Sequence, residues 1–177
     1  MPRIPYVVDS AADASALVAE IRARRGGKLL NLDRMLLHSP ALAQAWNAYL
    51  GAIRGNLSVA PKLRELAILS VAVLNGADYE FAQHLPLFLR AGGTPEAAKA
   101  LRSFDAACDD PVLFSAAERA TMKLTAEMTR QVALNDSTFE SVRRELLDDQ
   151  HVVELVAIIA TYNMVSRFLV ALAVEGD

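Results

Sequence analysis

Apolar residues recur every three or four positions along most of the chain, which is the spacing of one face of an α-helix. Between residues 40 and 54, for example, one such face carries Leu42, Trp46, Tyr49, Leu50 and Ile53. The period of two that marks a half-buried strand does not occur. The pattern predicts an all-α protein with helices near residues 11–24, 40–54, 61–74, 78–91, 95–104, 115–130, 137–147 and 150–174.

Capping residues sharpen some of these boundaries. Ser115 and Glu118 have the spacing of a capping box, in which each side chain binds an unpaired amide of the first helical turn. Ser137 and Glu140 have the same spacing and predict a second such start. Pro86 lies inside the fourth predicted helix, where we expect it to bend the helix and free a backbone carbonyl.

The third and eighth predicted helices differ from the others because they are apolar nearly all the way round. A helix of this kind is buried centrally or shared with another subunit. We therefore expect a homo-oligomer. No linker or low-complexity segment divides the chain, so we expect a single domain over residues 1–177.

The composition excludes several classes of protein. Hydrophobic residues make up 53% of the 177 residues and charged residues 22%, which argues against a disordered chain. A net charge of -3 and the lack of a basic run argue against nucleic-acid binding. The longest stretch without Asp, Glu, Lys or Arg, Met35 to Ile53, is interrupted by His38 and Pro40, so we expect no membrane span and a cytoplasmic protein.

Cys108 is the single cysteine. A disulfide within the chain, a CxxC couple and a cysteine-rich zinc site are therefore impossible. The neighbouring Asp109 and Asp110 place negative charge where it would raise the pKa of the thiol. This environment favours a structural cysteine over a reactive one.

Three titratable residues form the most informative group. Glu65 lies in an apolar segment, where it either interacts with the helix dipole or an arginine, or serves a function. Glu80 and His84 are four residues apart, so Glu80 could fix the imidazole tautomer, although an ordinary surface pair has the same spacing. The intervening Asn75-Gly76 predicts a turn that folds the two helices together.

Four sequence stretches carry a resemblance to a known superfamily: RELAIL (64–69), NGADYEFAQH (75–84), RAGGTPEA (90–97) and YNMVSRFL (162–169). They resemble the carboxymuconolactone decarboxylase and alkyl hydroperoxidase D superfamily. The resemblance implies the AhpD-like helical fold, assembled as trimers or hexamers. In the peroxidase branch a glutamate, a CxxC pair and a histidine have fixed spacing. Here Glu65 and His84 occupy the acid and histidine positions, but Ala77 and Glu80 replace both cysteines, so the disulfide cycle cannot run.

The motif aromatic-Glu-x-x-x-His, which begins here at Tyr79, is more similar to the decarboxylase branch of the superfamily. That resemblance implies a lyase without metal or cofactor, acting on a small carboxylated metabolite of aromatic compound catabolism. His84, oriented by Glu80, is the expected acid or base, and Glu65 is a second proton carrier if burial raises its pKa. Arg64 and Arg167 are the candidate cations for the substrate carboxylate.

Tyr162, Asn163 and Arg167 interrupt the apolar eighth helix. Together with Tyr79 they are candidates for lining a substrate pocket, although a polar network at a subunit contact explains the helical residues equally well. No metal is expected, because no further histidine lies near Glu65 and His84 in the sequence. Two other functions stay open: peroxide reduction through Cys108, and a non-catalytic binding or assembly role.

Overall fold

The computed structural model describes residues 1–8 and 15–177, and this part of the chain contains helices and no strand, as predicted. Its α-helices are α1 (Ala16–Arg24), α2 (Asn31–Leu36), α3 (Pro40–Gly55), α4 (Pro61–Asn75), α5 (Asp78–Arg90), α6 (Pro95–Ala100), α7 (Phe104–Ala107), α8 (Ala116–Arg130), α9 (Asp136–Leu146) and α10 (Asp149–Leu172).

The chain forms two compact units. The first comprises Met1–Leu57 with Leu169–Asp177, and the second comprises Ser58–Phe168. The expectation of one domain over residues 1–177 stays a prediction. The candidate site residues all lie in the second unit.

Most predicted helices are confirmed, and the differences are local. Residues 11–14 of the first predicted helix lie outside the described residues. The short helix α2 was not predicted, because six residues are too few to show a period; its first turn is capped by the Asp33 carboxylate, which accepts from the Leu30 amide at 3.0 Å. The segment 95–104 is not one helix but α6, a 3₁₀ turn (Leu101–Ser103) and the start of α7.

The apolar face of α3 is narrower than predicted. Trp46, Leu50 and Ile53 are buried, whereas Leu42 is 43% exposed and Tyr49 is 48% exposed. At about 100° per residue, Leu42 and Tyr49 lie together at one edge of the stripe, away from its centre near Leu50. Tyr49 therefore lies outside the buried stripe, although the pattern placed it on the apolar face.

One of the two predicted capping boxes is confirmed. The Ser115 amide donates to Glu118 Oε2 at 2.8 Å, and the Glu118 amide donates to Ser115 Oγ at 3.3 Å. The box at Ser137 and Glu140 is wrong, because α9 begins earlier, after Asn135. The Asn135 amide and the Thr138 hydroxyl instead donate to the carboxylate of Glu127.

Helix α4 is the centre of the second unit and packs against α5 and α8. The run Leu66 to Ala72 is buried at every position. This explains why α4 is apolar all round, and it corrects the expectation that a second subunit is needed to cover this helix.

Helix α10 is long and apolar enough to cross a bilayer by length and composition, but half of its most apolar window is buried inside the chain. It is therefore a core helix on one side. Its other side exposes Val153, Ala160, Met164 and Arg167.

Candidate active site

The site begins with the hairpin of α4 and α5. Gly76 ends α4 in the left-handed conformation, with φ 63°, and the Ala77 amide donates to the Ala72 carbonyl at 2.8 Å. This is a glycine helix stop, which costs little because glycine has no Cβ. Helix α5 begins two residues later and continues through Pro86, so the chain reverses directly after α4.

The hairpin brings Glu65 of α4 against His84 of α5. Their side chains meet with His84 Nδ1 at 2.7 Å from Glu65 Oε2. Both residues are only 4% exposed. The second oxygen, Glu65 Oε1, accepts from Arg64 Nε at 3.1 Å. A buried carboxylate is thus compensated by two donors, as burial of a charge requires.

The ionisation of Glu65 follows from this geometry. Burial by itself raises the pKa of the carboxyl, but the hydrogen bonds and charges of His84 and Arg64 outweigh it, so the pKa lies below its ordinary value. The condition for Glu65 to carry a proton at neutral pH is therefore not met. Glu65 is a carboxylate that holds the imidazole in place.

The partner of Nδ1 is Glu65 and not Glu80, which corrects the expectation that the i,i+4 pair orients the ring. An ionised acceptor at Nδ1 favours the tautomer with the proton on that nitrogen. In that tautomer Nε2 carries the lone pair of the ring. Glu80 is 2% exposed and lies one turn before His84 on α5, so an exposed surface pair is also wrong.

Tyr162 is the aromatic neighbour of the histidine. Its ring lies edge-on to the imidazole, with centroids 5.0 Å apart and planes at 87°. Tyr162 is fully buried, so it restricts the ring of His84 from α10. The sequence marked Tyr162 as a polar interruption but gave no sign of its contact with His84. Tyr79 is half-buried on α5, next to Glu80.

The other polar residues of α10 form a network within the chain. Asn163 Nδ2 donates to Thr129 Oγ1 at 2.9 Å, and Asn163 Oδ1 accepts from Asn75 Nδ2 at 3.1 Å. Arg167 Nη1 donates to Asn163 Oδ1 at 2.8 Å and to its backbone carbonyl at 2.9 Å. The sequence left two interpretations of Asn163 and Arg167, a substrate pocket or a polar network at a subunit contact. The structure contains a polar network, and this network connects α4, α8 and α10 within one chain. Asn75 and Thr129 were not predicted as its members.

Cys108 is buried in the apolar core of the second unit. Burial, together with the charges of Asp105 and Asp109, raises the pKa of its thiol to about 11. The structure therefore agrees with a structural cysteine. Asp110 has a different task, because its carboxylate accepts from the amides of Val112 and Leu113.

Within residues 1–8 and 15–177, no group of three His, Cys, Asp or Glu side chains is arranged to hold a metal ion. Glu65 and His84 form a buried carboxylate–imidazole pair, and Glu80 lies buried one turn before His84 on α5.

Comparison with solved structures defines the fold as AhpD-like. An uncharacterized peroxidase-related protein from Ralstonia eutropha, described as an alkylhydroperoxidase AhpD core, matches with a TM-score of 0.81 and 19% identity over 99% of this chain and 92% of its own. An uncharacterized peroxidase-related protein from a Silicibacter species matches with a TM-score of 0.77 and 18% identity, over 99% of this chain and 89% of its own. A cysteine-to-alanine variant of the debrominase Bmp8, in complex with 2,3,4-tribromopyrrole, matches with a TM-score of 0.76 and 18% identity, over 97% of this chain and 90% of its own.

The sequence itself supports the same assignment. Residues 40–127 match the carboxymuconolactone decarboxylase family. No curated protein matches the chain. The chain belongs to the carboxymuconolactone decarboxylase and alkyl hydroperoxidase D superfamily.

Proposed function

We propose that the protein is a cofactor-free carboxy-lyase that removes CO₂ from a small unsaturated carboxylated metabolite, of the kind formed in aromatic compound catabolism. The observation that supports this proposal is the buried pair of Glu65 and His84, with Nδ1 held at 2.7 Å by the carboxylate. Such a pair supplies a histidine whose orientation and tautomer are set before substrate arrives.

In the proposed reaction the bond between the carboxylate carbon and the ring carbon breaks, and CO₂ leaves. The electron pair of that bond passes into the conjugated carbonyl of the substrate as an enolate. Protonated His84 then gives its Nε2 proton to a ring carbon of this extended enolate, the carbonyl re-forms, and solvent later restores the proton on Nε2. Glu65 stabilises the imidazolium through Nδ1. No oxidant, reductant or metal is needed for this balance.

The other site residues receive roles in the same proposal. Glu80 is buried one turn before His84 on α5, so we assign it to the same site as a second carboxyl group. Arg64 is the better candidate for the substrate carboxylate, since a guanidinium has five N–H donors and Glu65 takes one of them. Arg167 is exposed and bound to Asn163, which favours a structural role. Tyr79 and Tyr162 are the candidates for contacting the substrate ring.

The family match supports the reaction class, and one solved structure supports the substrate shape. The cysteine-to-alanine variant of the debrominase with a similar fold was crystallised with 2,3,4-tribromopyrrole, which is a flat, unsaturated five-membered ring. A carboxymuconolactone is also built on an unsaturated five-membered ring. We therefore propose a ring of this size as the core of the substrate.

The test is CO₂ release from 4-carboxymuconolactone by the purified protein, with the product followed by proton NMR in D₂O. We expect one deuterium on a ring carbon of the product, and loss of turnover by at least about 100-fold in His84→Ala. His151→Ala is the matched control, because His151 lies on α10 beside Asp148 and outside the Glu65 and His84 pair. Full activity of His84→Ala, or no CO₂ release from any carboxylated lactone tested, contradicts the proposal.

Two alternatives differ in their outcomes. Peroxide reduction is suggested by the peroxidase-related neighbours, but it needs a thiolate, and the pKa of about 11 at buried Cys108 argues against one. Hydroperoxide consumption that is lost in Cys108→Ser would support it. A non-catalytic role would be supported by lactone binding without turnover that is unchanged in His84→Ala.

A further inference from the structure

A groove of about 280 Å³ lies beside α5, on residues that the proton-transfer site does not use. Its lining is mostly apolar: Phe81, Leu85, Leu89, Pro95, Ala98, Lys99 and Arg102. Phe81, Leu85 and Leu89 recur every four residues, so they form one face of α5. Glu80 and His84 belong to the neighbouring face of the same helix.

The two charged residues at this groove are both cationic. Lys99 and Arg102 are three residues apart, and both are exposed. The Arg102 guanidinium carbon lies 4.3 Å from the centre of the Phe81 ring, so the cation stands directly over the apolar floor. Lys99 forms no ion pair within the described part of the chain.

Among residues 1–8 and 15–177, Arg102 has one ionic neighbour. Its Nη1 lies 3.5 Å from Asp78 Oδ1, and both side chains are largely exposed. An exposed pair of this kind contributes little free energy, so a carboxylate ligand can replace it. The guanidinium also offers paired N–H groups that match a carboxylate.

We propose that this groove binds an apolar monocarboxylate, with the hydrocarbon body on Phe81, Leu85 and Leu89 and the carboxylate between Lys99 and Arg102. The charge of the rim selects an anion, and the floor selects an apolar body. The volume is just below the range of ligand pockets, which indicates a small molecule. This inference does not depend on the proposed lyase activity.

The test is isothermal titration of the purified protein with sodium octanoate, 1-octanol and octylammonium. We expect octanoate to bind at least about 10-fold more tightly than octanol, and octylammonium not to bind. The double variant K99Q/R102Q should lose about 10-fold in octanoate affinity, because two exposed cations are removed. Arg143→Gln is the matched control, since Arg143 is an exposed cation on α9, outside the groove.

Other results would overturn the inference. Equal binding of octanol and octanoate would show that the rim does not select charge, and unchanged octanoate binding in K99Q/R102Q would exclude these cations. Loss of octanoate binding in His84→Ala would place the ligand in the proton-transfer site. If Leu85→Glu dissociates a multimer while octanoate fails to bind the wild type, the groove is an interface between copies of the chain.

Discussion

Glu65 Oε2 and His84 Nδ1 lie 2.7 Å apart, although the two residues belong to different helices and are 19 positions apart in sequence. Both residues are buried, so the Glu65 carboxylate and the His84 imidazole cannot be solvated by water when the partner is removed. The pair is therefore an element of stability as well as a candidate for chemistry.

The pH dependence of unfolding should reveal this pair. Because the pKa of Glu65 is lower in the folded state than in the unfolded chain, its contribution is present above the unfolded pKa of about 4.3 and is lost as pH falls through the folded pKa. We expect urea unfolding to show that the free energy of unfolding falls less between pH 5 and pH 3 in Glu65→Gln than in the wild type.

The same variant should be less stable at pH 7 by about 3 kcal/mol, because one partner of a buried pair is removed. Glu140→Gln is the control, since Glu140 is exposed on α9. If the free energy of unfolding falls between pH 5 and pH 3 as much in Glu65→Gln as in the wild type, another carboxylate causes the acid destabilisation.

Cys108 should resist thiol reagents in the folded protein. With its pKa raised to about 11, almost no thiolate is present at pH 8, and burial limits access further. We expect the reaction with Ellman's reagent to be at least about 100-fold slower in buffer than in 6 M urea. Rapid labelling of the folded chain would contradict the structural role assigned to this cysteine.

Gly93 should not tolerate a side chain. A Cβ built there would overlap the Phe88 ring, which is fully buried and cannot move away. We expect Gly93→Ala to lower the free energy of unfolding by about 1–3 kcal/mol. Gly51→Ala is the matched control, because Gly51 lies within α3 with nothing inside 4 Å of its Cβ position. That substitution should be neutral or stabilise by up to about 1 kcal/mol.

Asn163 should contribute more to stability than Met164, the exposed residue that follows it on α10. Its amide joins Asn75 and Thr129, so Asn163→Ala removes one hydrogen bond to α4 and one to α8, while Asn75 Nδ2 keeps its bond to Ser166 Oγ. We expect a loss of about 1–3 kcal/mol in urea unfolding. Met164→Ala, at the next and exposed position, should cost less than about 0.5 kcal/mol. Equal losses would show that the network is not a structural tie.

The exposed side of α10 favours self-association. Val153, Ala160 and Met164 lie on that side, and no described part of the chain covers them. We expect light scattering to show a trimer or hexamer and Met164→Glu to reduce its mass. A single species near 19.2 kDa for the wild type would contradict this expectation. Glu140→Lys serves as the control for a change of surface charge elsewhere.

The helices could be predicted from sequence because their apolar period is long and regular, as in α3 and α8. The short α2 could not, since six residues contain less than two turns. Ser137 was predicted as a cap, but Glu127 near the end of the preceding helix α8 binds the Asn135 amide, and α9 begins there instead.

The site was predictable only in part. The glycine turn and the apolar surroundings of Glu65 indicated that Glu65 and His84 approach each other. Sequence could not show which carboxylate binds Nδ1, because this depends on how α5 is rotated about its axis against α4. The pKa direction of Glu65 was also hidden, since it depends on the balance between burial and the donors His84 and Arg64.

The turn between α4 and α5 contains only Gly76 and Ala77. One inserted residue that extended the start of α5 would rotate the following side chains by about 100°, enough to turn the imidazole away from its carboxylate. Most surface loops tolerate insertions and deletions during evolution. The turn between α4 and α5 should not, because a change in its length would separate His84 from Glu65.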